Sequence, residues 1–399
     1  MRPALVRYFV AFLLGELAAS ILTIAIMWSV WQIHHQAFDL GLVGLAMFLP
    51  NLALVLVTGH VADRYERKRT LLAIMLIEAI LAFGLAALVF FGVRELTVVL
   101  VVVAALGTIR AFSEPIEGTI LVAIVSAEEY LSVQARYSSV RELVMIAAPA
   151  FGGALVAVSP VVAMAVSGGA AVVVAALFSS IPVPRHAVDG DEKPSLASAL
   201  QGVRFIVSRP IVLGAISLDL FAVLFGGATA LLPIFADRIL HAGAIGYGLL
   251  RASSGIGAGA CAFVLSRRPP ARKVGRTLLL AVGIYGAAML AFSASRQLWL
   301  SIVARAAAAA ADMVSVVIRT GLVQLNTPDA MRGRVIAVEM VFVGASNQLG
   351  AFESGTLAQF VGAVPAVAIG GAATLAVVGV WSALVPALRR SDRVVAQPP

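Results

Sequence analysis

The chain is poor in charged residues. Only 13% of its 399 residues are Asp, Glu, Lys or Arg, whereas 61% are hydrophobic. A soluble domain usually carries about 25% charged residues. So apolar a chain has too few polar side chains to cover a water-exposed surface, and its composition therefore predicts a protein that crosses a membrane several times.

Cysteine and the usual motifs of chemical sites are also scarce. The single cysteine, Cys261, excludes an internal disulfide. No phosphate-binding Gly-Lys-Ser/Thr loop is present, so ATP is not the expected energy source. No group of Cys, His or acidic residues has metal-site spacing, and no nucleophile–base set indicates an enzyme. We expect no metal and no cofactor.

Long apolar runs are abundant, and a spanning helix needs about 20 such residues. By that measure the sequence predicts an all-α membrane protein with twelve transmembrane helices. The predicted spans are 8–32, 41–61, 70–92, 97–119, 140–158, 161–181, 211–236, 246–266, 277–294, 298–319, 335–359 and 364–387.

The basic residues predict the topology of these helices. The chain has 29 Lys and Arg; with a cytoplasmic N-terminus, 22 of them fall in cytoplasmic segments, three in outer loops and four within helices. Cytoplasmic loops carry such an excess. The bias predicts that both termini are cytoplasmic, and it accounts for the basic pI without nucleic-acid binding.

The longest polar segment, 182–209, divides the chain. Before it, 1–181 is predicted to form an N-terminal bundle of six helices, and after it 210–399 forms a C-terminal one. Prolines and acidic residues begin the linker, and 195–207 then has an amphipathic helical pattern that Ser195 could cap. We expect this helix to lie on the inner membrane surface.

A charged block interrupts the apolar runs at 59–69, with Arg64, Arg67, Lys68 and Arg69 among its charges. Such a block cannot lie in hydrocarbon, so it predicts a short cytoplasmic turn. Gly59, Asp63, Arg64, Arg67 and Lys68 resemble the loop between helices 2 and 3 of the major facilitator superfamily. In that family the Asp of this loop pairs with basic residues and locks a cytoplasmic gate. A topology anchor without a gating role is the alternative.

A second motif lies in the fifth predicted helix, from Ala148 to Gly153. Its Pro149, Gly152 and Gly153 resemble the Gly-Pro-x-x-Gly-Gly motif of exporters in the superfamily, with Ala148 in place of the first Gly. Proline bends a membrane helix, and small residues let a partner approach closely. A gating hinge and an ordinary packing kink are both compatible with these residues.

Two further stretches, 218–236 and 327–335, together with 62–68, resemble the enterobactin-exporter branch of this superfamily, which includes macrolide-efflux-like members. The resemblance covers nearly the whole chain. It implies two pseudo-symmetric six-helix bundles around a midplane site. It also implies export of a siderophore-like molecule across the inner membrane, coupled to proton entry.

Ionisable residues within the predicted helices are candidates for this function, because charges in a membrane are costly and tend to face a cavity or each other. Arg110, Glu114 and Glu117 share one face of helix 4. Arg305, Asp312 and Arg319 share one face of helix 10, and we expect both faces to line a central cavity. Glu339 is expected near the membrane interface.

The carboxylates are the candidate proton carriers, because a low-dielectric cavity favours the neutral acid. They are Glu16, Asp219, Glu114, Glu117 and Asp312, of which Glu16 and Asp219 are favoured because each is alone in its helix. Arg110 and Arg305 are candidates for binding anionic groups of the substrate. Static Arg–carboxylate pairing is the alternative.

Aromatic residues offer a weaker candidate site. Phe221 and Phe225 are i, i+4 neighbours that could stack on an aromatic substrate, although packing in the core is the more common use of such a pair.

The expected partners are a small-molecule substrate, protons and the lipid bilayer, with no nucleic acid and a monomeric state. Three functions stay open. A siderophore exporter is the first, a broad macrolide-like drug efflux pump the second, and a non-transporting membrane sensor or scaffold the third.

Overall fold

The computed structural model describes residues 3–64, 66–125, 127–182, 196–270 and 272–392, which fold mainly into helices. The helices are α1 (Pro3–His34), α2 (Ala37–Arg64), α3 (Arg67–Phe90), α4 (Leu96–Ile124), α5 (Ala127–Val158), α6 (Pro160–Ser179), α7 (Leu196–Ser208), α8 (Pro210–Gly226), α9 (Leu232–Ile234), α10 (Gly243–Arg267), α11 (Val274–Ala294), α12 (Leu298–Leu325), α13 (Asp329–Val361), α14 (Ala363–Leu384) and α15 (Pro386–Arg390).

The twelve predicted membrane spans are confirmed. Within the described residues, twelve helical segments are long and apolar enough to cross a membrane, and each overlaps one predicted span. The seventh, Pro210–Ile239, differs from the continuous helix that the sequence predicts. After α8 it passes through a 3₁₀ turn (Ala228–Leu231), α9 and a π-helical turn (Phe235–Ile239).

The packed chain divides into two compact units. The first comprises Met1–His35, Leu45–Pro194 and Ala242–Ala252; the second comprises Gln36–Gly44, Ser195–His241 and Ser253–Pro399. The start of α2 thus packs with the second unit, and the start of α10 with the first. The division of the chain at 182–209 into two sequence-contiguous bundles stays a prediction.

The first unit is built around α6, which packs on both α1 and α3. Its core contains Tyr8, Leu71, Ile120 and Phe178. The Ser167 hydroxyl donates a hydrogen bond to the carbonyl of Ala18 at 2.8 Å, and this bond ties α6 to α1.

The second unit repeats this arrangement with α14 in the central place. α14 packs on α8 and α11, as α6 packs on α1 and α3, and α11 also packs closely on α12. Its core contains Leu218, Leu278, Leu322 and Val377. The equal order of packing partners agrees with the pseudo-symmetry that the family resemblance implies.

The amphipathic helix of the predicted linker is present as α7 and packs on α13. Ile206 is buried in a small core with Val212 and Val335. Leu200 and Val207 point away from this contact and are exposed. One part of the apolar surface of α7 therefore packs on α13, and another part is exposed. Ser195, its predicted cap, lies outside the described residues.

Two helix crossings depend on paired glycines. A Cβ atom on Gly153 of α5 would lie 2.7 Å from the Cα atom of Gly248 of α10. In the second unit, a Cβ atom on Gly355 of α13 would lie 3.0 Å from the Cα atom of Gly41 of α2. Backbones this close leave no room for a side chain, so only glycine permits either crossing.

The first crossing yields a prediction about stability. A methyl group on Gly248 would also lie 2.6 Å from the carbonyl oxygen of Pro149, so α5 and α10 must separate to admit it. We expect Gly248→Ala to lower the unfolding free energy of the purified protein by about 1–3 kcal/mol, the usual cost of overpacking. Thermal unfolding in detergent measures the change.

Gly169→Ala is the matched control. Gly169 lies in α6 of the same unit, and no atom lies within 4 Å of the position that its Cβ would take. Replacing a helical glycine there should leave the stability unchanged or raise it. Equal stability of the two variants would show that the α5–α10 crossing tolerates a side chain.

Candidate functional site

A charged cavity lies within the first unit. It has a volume of about 200 Å³, and aromatic rings form part of its wall beside three ionisable side chains. Its lining residues are Tyr8, Ala11, Phe12, Gly15, Glu16, Ala19, Met75, Glu78, Arg110, Ser113, Val174 and Phe178. Helices α1, α3, α4 and α6 contribute these residues. The cavity thus combines a guanidinium, two carboxylates and aromatic surface.

Arg110 of α4 is held loosely in this cavity. Its Nη2 atom lies 3.5 Å from Oε1 of Glu78 and 3.5 Å from the carbonyl oxygen of Ala19. Its Nη1 atom lies 4.0 Å from Sδ of Met47. Strong charge-assisted hydrogen bonds are about 2.7–2.9 Å long. The guanidinium can therefore exchange these contacts for an anionic or hydroxyl group in the cavity.

Two of the sequence-predicted residues, Arg110 and Glu16, are brought together here. Glu78 lines the same cavity; from the sequence alone, a position in the cavity and one at a helix contact were both open for it. The side chains of Glu114 and Glu117 lie outside the described part of the chain. Their proton-carrying role stays a prediction.

The second unit contains a buried charge network centred on Arg319 of α12. Its Nη1 atom donates a hydrogen bond to Oε1 of Glu339 at 2.8 Å, and its Nη2 atom lies 3.4 Å from Oδ2 of Asp219. All three side chains are less than one-tenth exposed. Three helices, α8, α12 and α13, are thus joined by one shared guanidinium.

This network shows the surroundings of two residues that the sequence singled out. Glu339 is 7% exposed and hydrogen-bonded within the protein, and its position near the membrane interface stays a prediction. Asp219 is the only acid of its own helix, and it has an ion-pair partner on a neighbouring helix. Sequence spacing along one helix cannot show this pairing, because the three residues are brought together only when α8, α12 and α13 pack.

A small cavity lies beside Asp219. It has a volume of about 10 Å³ and is lined by Asp219, Ala222, Val223, Val282, Tyr285, Asp312 and Ser315. Asp312 and Ser315 are i, i+3 neighbours on α12 and therefore share a face. The predicted proton carriers Asp219 and Asp312 thus meet at one cavity, together with two hydroxyl groups that the sequence did not indicate.

The break in the seventh span lies next to this cavity. The Tyr285 hydroxyl donates to the carbonyl of Gly226 at 2.9 Å, and Ser354 donates to that of Gly227 at 3.0 Å. The Thr374 hydroxyl donates to the carbonyl of Gly370 in its own helix at 3.0 Å and lies 3.3 Å from the carbonyl oxygen of Ala222. In a membrane every carbonyl freed by a helix break needs such a partner. Gly226, Gly227 and Pro233 lie at the break, and they are the residues of the sequence that could have indicated it.

The other predicted binding residues of the second unit, Arg305, Phe221 and Phe225, do not line the small cavity. The Arg305 guanidinium donates to the Ser254 hydroxyl at 2.8 Å and to Sδ of Met289 at 3.8 Å. Phe221 stacks on Phe225 at 6.3 Å and packs on Trp381 at 5.3 Å. Both phenylalanines pack against the core of the unit, as the alternative reading expects, and neither lines the small cavity.

The predicted gating residues are described in part. Gly152 of α5 lies against Ile21 and Ile24 of α1, and Gly153 packs on Gly248. Pro149 lies within α5 one turn earlier. The motif of the fifth span is therefore a packing surface with two partners. Its gating role stays a prediction.

The charged turn is described less fully. Lys68 donates to the carbonyl of Ile181 at 2.8 Å, beside a similar bond from Arg7 to Ser180. Cations at the C-terminal end of α6 are favoured by its dipole. The side-chain surroundings of Gly59, Asp63, Arg64 and Arg67 lie outside the described part of the chain.

The shared guanidinium yields a second stability prediction. Arg319→Gln leaves Asp219 and Glu339 without their cation in a buried site, so we expect a loss of about 3–5 kcal/mol. Thermal and denaturant unfolding of the purified protein measure it. The double variant Arg319→Gln, Glu339→Gln should be more stable than the single one, because it removes one of the two uncompensated carboxylates.

Arg69→Gln provides the control. Arg69 bridges Glu66 at 2.9 Å, but its side chain is 76% exposed. Exposed pairs contribute roughly 0–1 kcal/mol, so this variant should resemble the wild type. If Arg69→Gln and Arg319→Gln lowered the unfolding free energy equally, disrupting the buried network would cost no more than disrupting an exposed ion pair.

Comparison with known proteins agrees with the twelve-helix fold. Among solved structures, a mutant of the nucleoside transporter NupG has a TM-score of 0.76 at 12% identity, covering 95% of this chain and 99% of that one. A bacterial homologue of the iron transporter ferroportin, in an inward-facing state, has a TM-score of 0.71 at 14% identity, covering 97% and 99%. At these identities the likeness concerns the fold alone.

Sequence relatives are exporters. The multidrug efflux pump Tap of Mycolicibacterium fortuitum is 28% identical over 417 residues, covering 98% of this chain and 97% of the relative. The enterobactin exporter EntS of Shigella boydii is 26% identical over 356 residues, covering 84% and 80%. A family model described as transmembrane secretion effector matches residues 3–397. The chain therefore belongs to the transmembrane secretion effector family of major facilitator superfamily transporters.

Proposed function

We propose that the protein is a secondary active exporter of a siderophore-like small molecule. It would move its substrate from the cytoplasm to the periplasm across the inner membrane, by alternating access coupled to proton entry. Membership of an exporter family supports transport rather than catalysis. One relative is named as an enterobactin exporter, which supports a siderophore-like substrate and a location in the inner membrane.

The cavity of the first unit is the observation that carries this proposal. Arg110 supplies a permanent cation with weak protein contacts, and Tyr8, Phe12 and Phe178 supply aromatic surface. A molecule with aromatic rings and oxygen-rich anionic groups satisfies both, by stacking and by bidentate hydrogen bonding. The cavity, with a volume of about 200 Å³, can hold part of such a molecule.

The proposed proton coupling rests on the carboxylates that line the two cavities. Glu16 lines the same cavity as Arg110, so a proton and an anionic group can compete for this region. Asp219 and Asp312 provide a second set in the other unit. Acids within membrane spans are a common feature of proton relays. The absence of a phosphate-binding loop from the sequence supports an ion gradient as the energy source.

The direction and the gate rest on the two family motifs. Pro149, Gly152 and Gly153 resemble the exporter motif, and Gly152 and Gly153 have the close helix contacts that a hinge needs. Asp63 and its basic neighbours resemble the gate loop. We propose that this loop closes the cytoplasmic side, with both chain termini on that side.

A broad drug efflux pump is the second candidate. The relative named as a multidrug efflux pump spans 98% of this chain, which favours it. Resistance of the wild type to several unrelated drugs, with unchanged siderophore secretion in a deletion strain, would identify this function. A non-transporting sensor or scaffold would bind its ligand without any flux that depends on the proton gradient.

Metabolite profiling under iron limitation tests the substrate. We expect a deletion strain to retain a siderophore in the cells and to lose it from the medium, and a plasmid copy to restore secretion. Arg110→Gln should lower secretion about tenfold or more at equal expression, because it removes a charge-assisted contact to the substrate.

Arg94→Gln is the control for this variant. Arg94 is an exposed residue outside the cavity, so the change should leave secretion unaltered. Normal secretion by the Arg110→Gln protein would show that this cavity does not bind the substrate. Normal secretion by the deletion strain would show that a siderophore is not the substrate.

The gate loop yields a separate prediction. Asp63→Asn removes the negative charge that, by the family resemblance, pairs with basic residues of the gate, so we expect a well-expressed but slow transporter. Substrate efflux from loaded proteoliposomes under an imposed proton gradient measures the rate. Wild-type efflux rates at equal protein content would argue for a topology anchor instead.

A further inference from the structure

The cavity of the first unit has an aromatic end and a charged end. The rings of Tyr8 and Phe178 meet edge to face at 6.0 Å, and Phe12 lies one turn further along α1. At the other end, Nη2 of Arg110 lies 3.5 Å from the carbonyl oxygen of Ala19, which is also on α1. These residues all line the same cavity. Its aromatic and ionic surfaces are therefore separated along α1.

Helix α3 has the same order of surfaces. Met75 belongs to the core that contains Tyr8 and Phe178. Three residues further along α3, Glu78 lies 3.5 Å from Nη2 of Arg110. Two helices thus place apolar contacts at one end of the cavity and charge at the other. A ligand that uses both ends must itself have one aromatic end and one polar end.

The stretch of α1 between the two ends sets a distance. An α-helix rises about 1.5 Å per residue, so the seven residues from Phe12 to Ala19 span about 10 Å. Side chains on a helix lean toward its N-terminus, which takes the Phe12 ring further from the Arg110 guanidinium. A molecule whose oxygen atoms are attached directly to its aromatic ring is too short to contact both ends.

Gly15 leaves the path between the two ends open. It follows Phe12 by three residues and precedes Ala19 by four, so the three share one face of α1. Gly15 lines the cavity, and no described atom lies within 4 Å of the position that its Cβ would take. Neither close packing nor a positive φ requires glycine there. A side chain at this position would project into the path.

We propose that the cavity selects an elongated aryl acid, in which a linker of about six atoms joins an aromatic ring to an anionic group, and that Gly15 is the residue that admits the linker. An extended chain advances about 1.2 Å per bond, so such a linker spans about 10 Å. Transport of this ligand rests on the proposed export function. Its binding does not, because binding requires only the geometry of the first unit.

The acids of the cavity leave room for an anionic group at Arg110. Glu78 and Arg110 are 3.5 Å apart, longer than the 2.7–2.9 Å of a strong charge-assisted hydrogen bond. A ligand carboxylate that forms two parallel bonds to the guanidinium can therefore displace Glu78. Ser113 already donates to the carbonyl of Arg110 at 3.1 Å, so the guanidinium is the donor at this end of the cavity.

A series of phenylalkanoic acids tests the distance. Phenylacetic, 4-phenylbutyric, 7-phenylheptanoic and 11-phenylundecanoic acids differ only in linker length. Their binding to the full-length protein in nanodiscs is measured by equilibrium dialysis, with empty nanodiscs to correct for partition into lipid. Hydrophobic binding alone would strengthen with every methylene. We expect the affinity instead to peak at 7-phenylheptanoic acid, whose six linker carbons match the distance between the two ends.

Variants of Gly15 test the path. Gly15→Leu should weaken the binding of 7-phenylheptanoic acid about tenfold or more, because the side chain overfills the path, and Gly15→Ala should weaken it less. Phenylacetic acid, which occupies one end only, should bind both variants as it binds the wild type. Gly84→Leu is the matched control. Gly84 lies in α3 of the same unit, outside the cavity, and no described atom lies within 4 Å of its Cβ position.

The charged end is tested separately. Arg110→Gln should remove the preference for 7-phenylheptanoic acid over its methyl ester, a loss of about tenfold, because one charge-assisted contact disappears. Tighter binding of 7-phenylheptylamine than of the acid would show that the carboxylates bind the polar end, and it would overturn the proposal of an acid.

The remaining outcomes are distinct. An affinity that rises steadily with linker length would overturn the proposed distance, and equal binding by Gly15→Leu and Gly84→Leu would overturn the role of Gly15. If Gly15→Leu does not fold, Gly15→Ala decides it. A peak at 7-phenylheptanoic acid with unchanged siderophore secretion in the deletion strain would overturn the proposed function and leave this ligand class intact. Lost secretion without such a peak would do the reverse.

Discussion

The hydrocarbon core of the membrane is the constraint on which this structure depends, because no water is available there to satisfy a charge or a carbonyl. At the break in the seventh span, the hydroxyl groups of Tyr285 and Ser354 satisfy the carbonyls of Gly226 and Gly227. In the same unit one guanidinium, that of Arg319, serves two acids. The polar residues at these two places are therefore explained by what each satisfies within the protein.

The same constraint shapes the helix crossings. Lipid tails are as apolar as the helix surfaces, so packing at short range has to hold the helices together. Gly153 with Gly248, and Gly355 with Gly41, bring backbones into direct contact. The exporter-like motif of the fifth span is therefore first a requirement of packing. Any gating role builds on a surface that the fold already needs.

Much of this could be predicted from the sequence, and the remainder could not for a physical reason. Hydrophobic length predicted all twelve spans, and the seven-residue spacing of Arg305, Asp312 and Arg319 placed them on one helix face. Spacing within one helix says nothing about its neighbours. The contacts of Arg319 with Glu339, and the position of Ser315 at the cavity, arise only when separate helices pack.

The two units use their charges differently. In the first, Arg110 keeps long contacts and faces a cavity of about 200 Å³, so its charge is available to a ligand. In the second, Arg319 holds Glu339 at 2.8 Å beside a cavity of about 10 Å³. A loosely held guanidinium beside a wide cavity is available to an anionic group, whereas a guanidinium bonded to two buried acids is not. The repeated helix packing thus leaves one guanidinium accessible in a cavity and uses the other to join three helices.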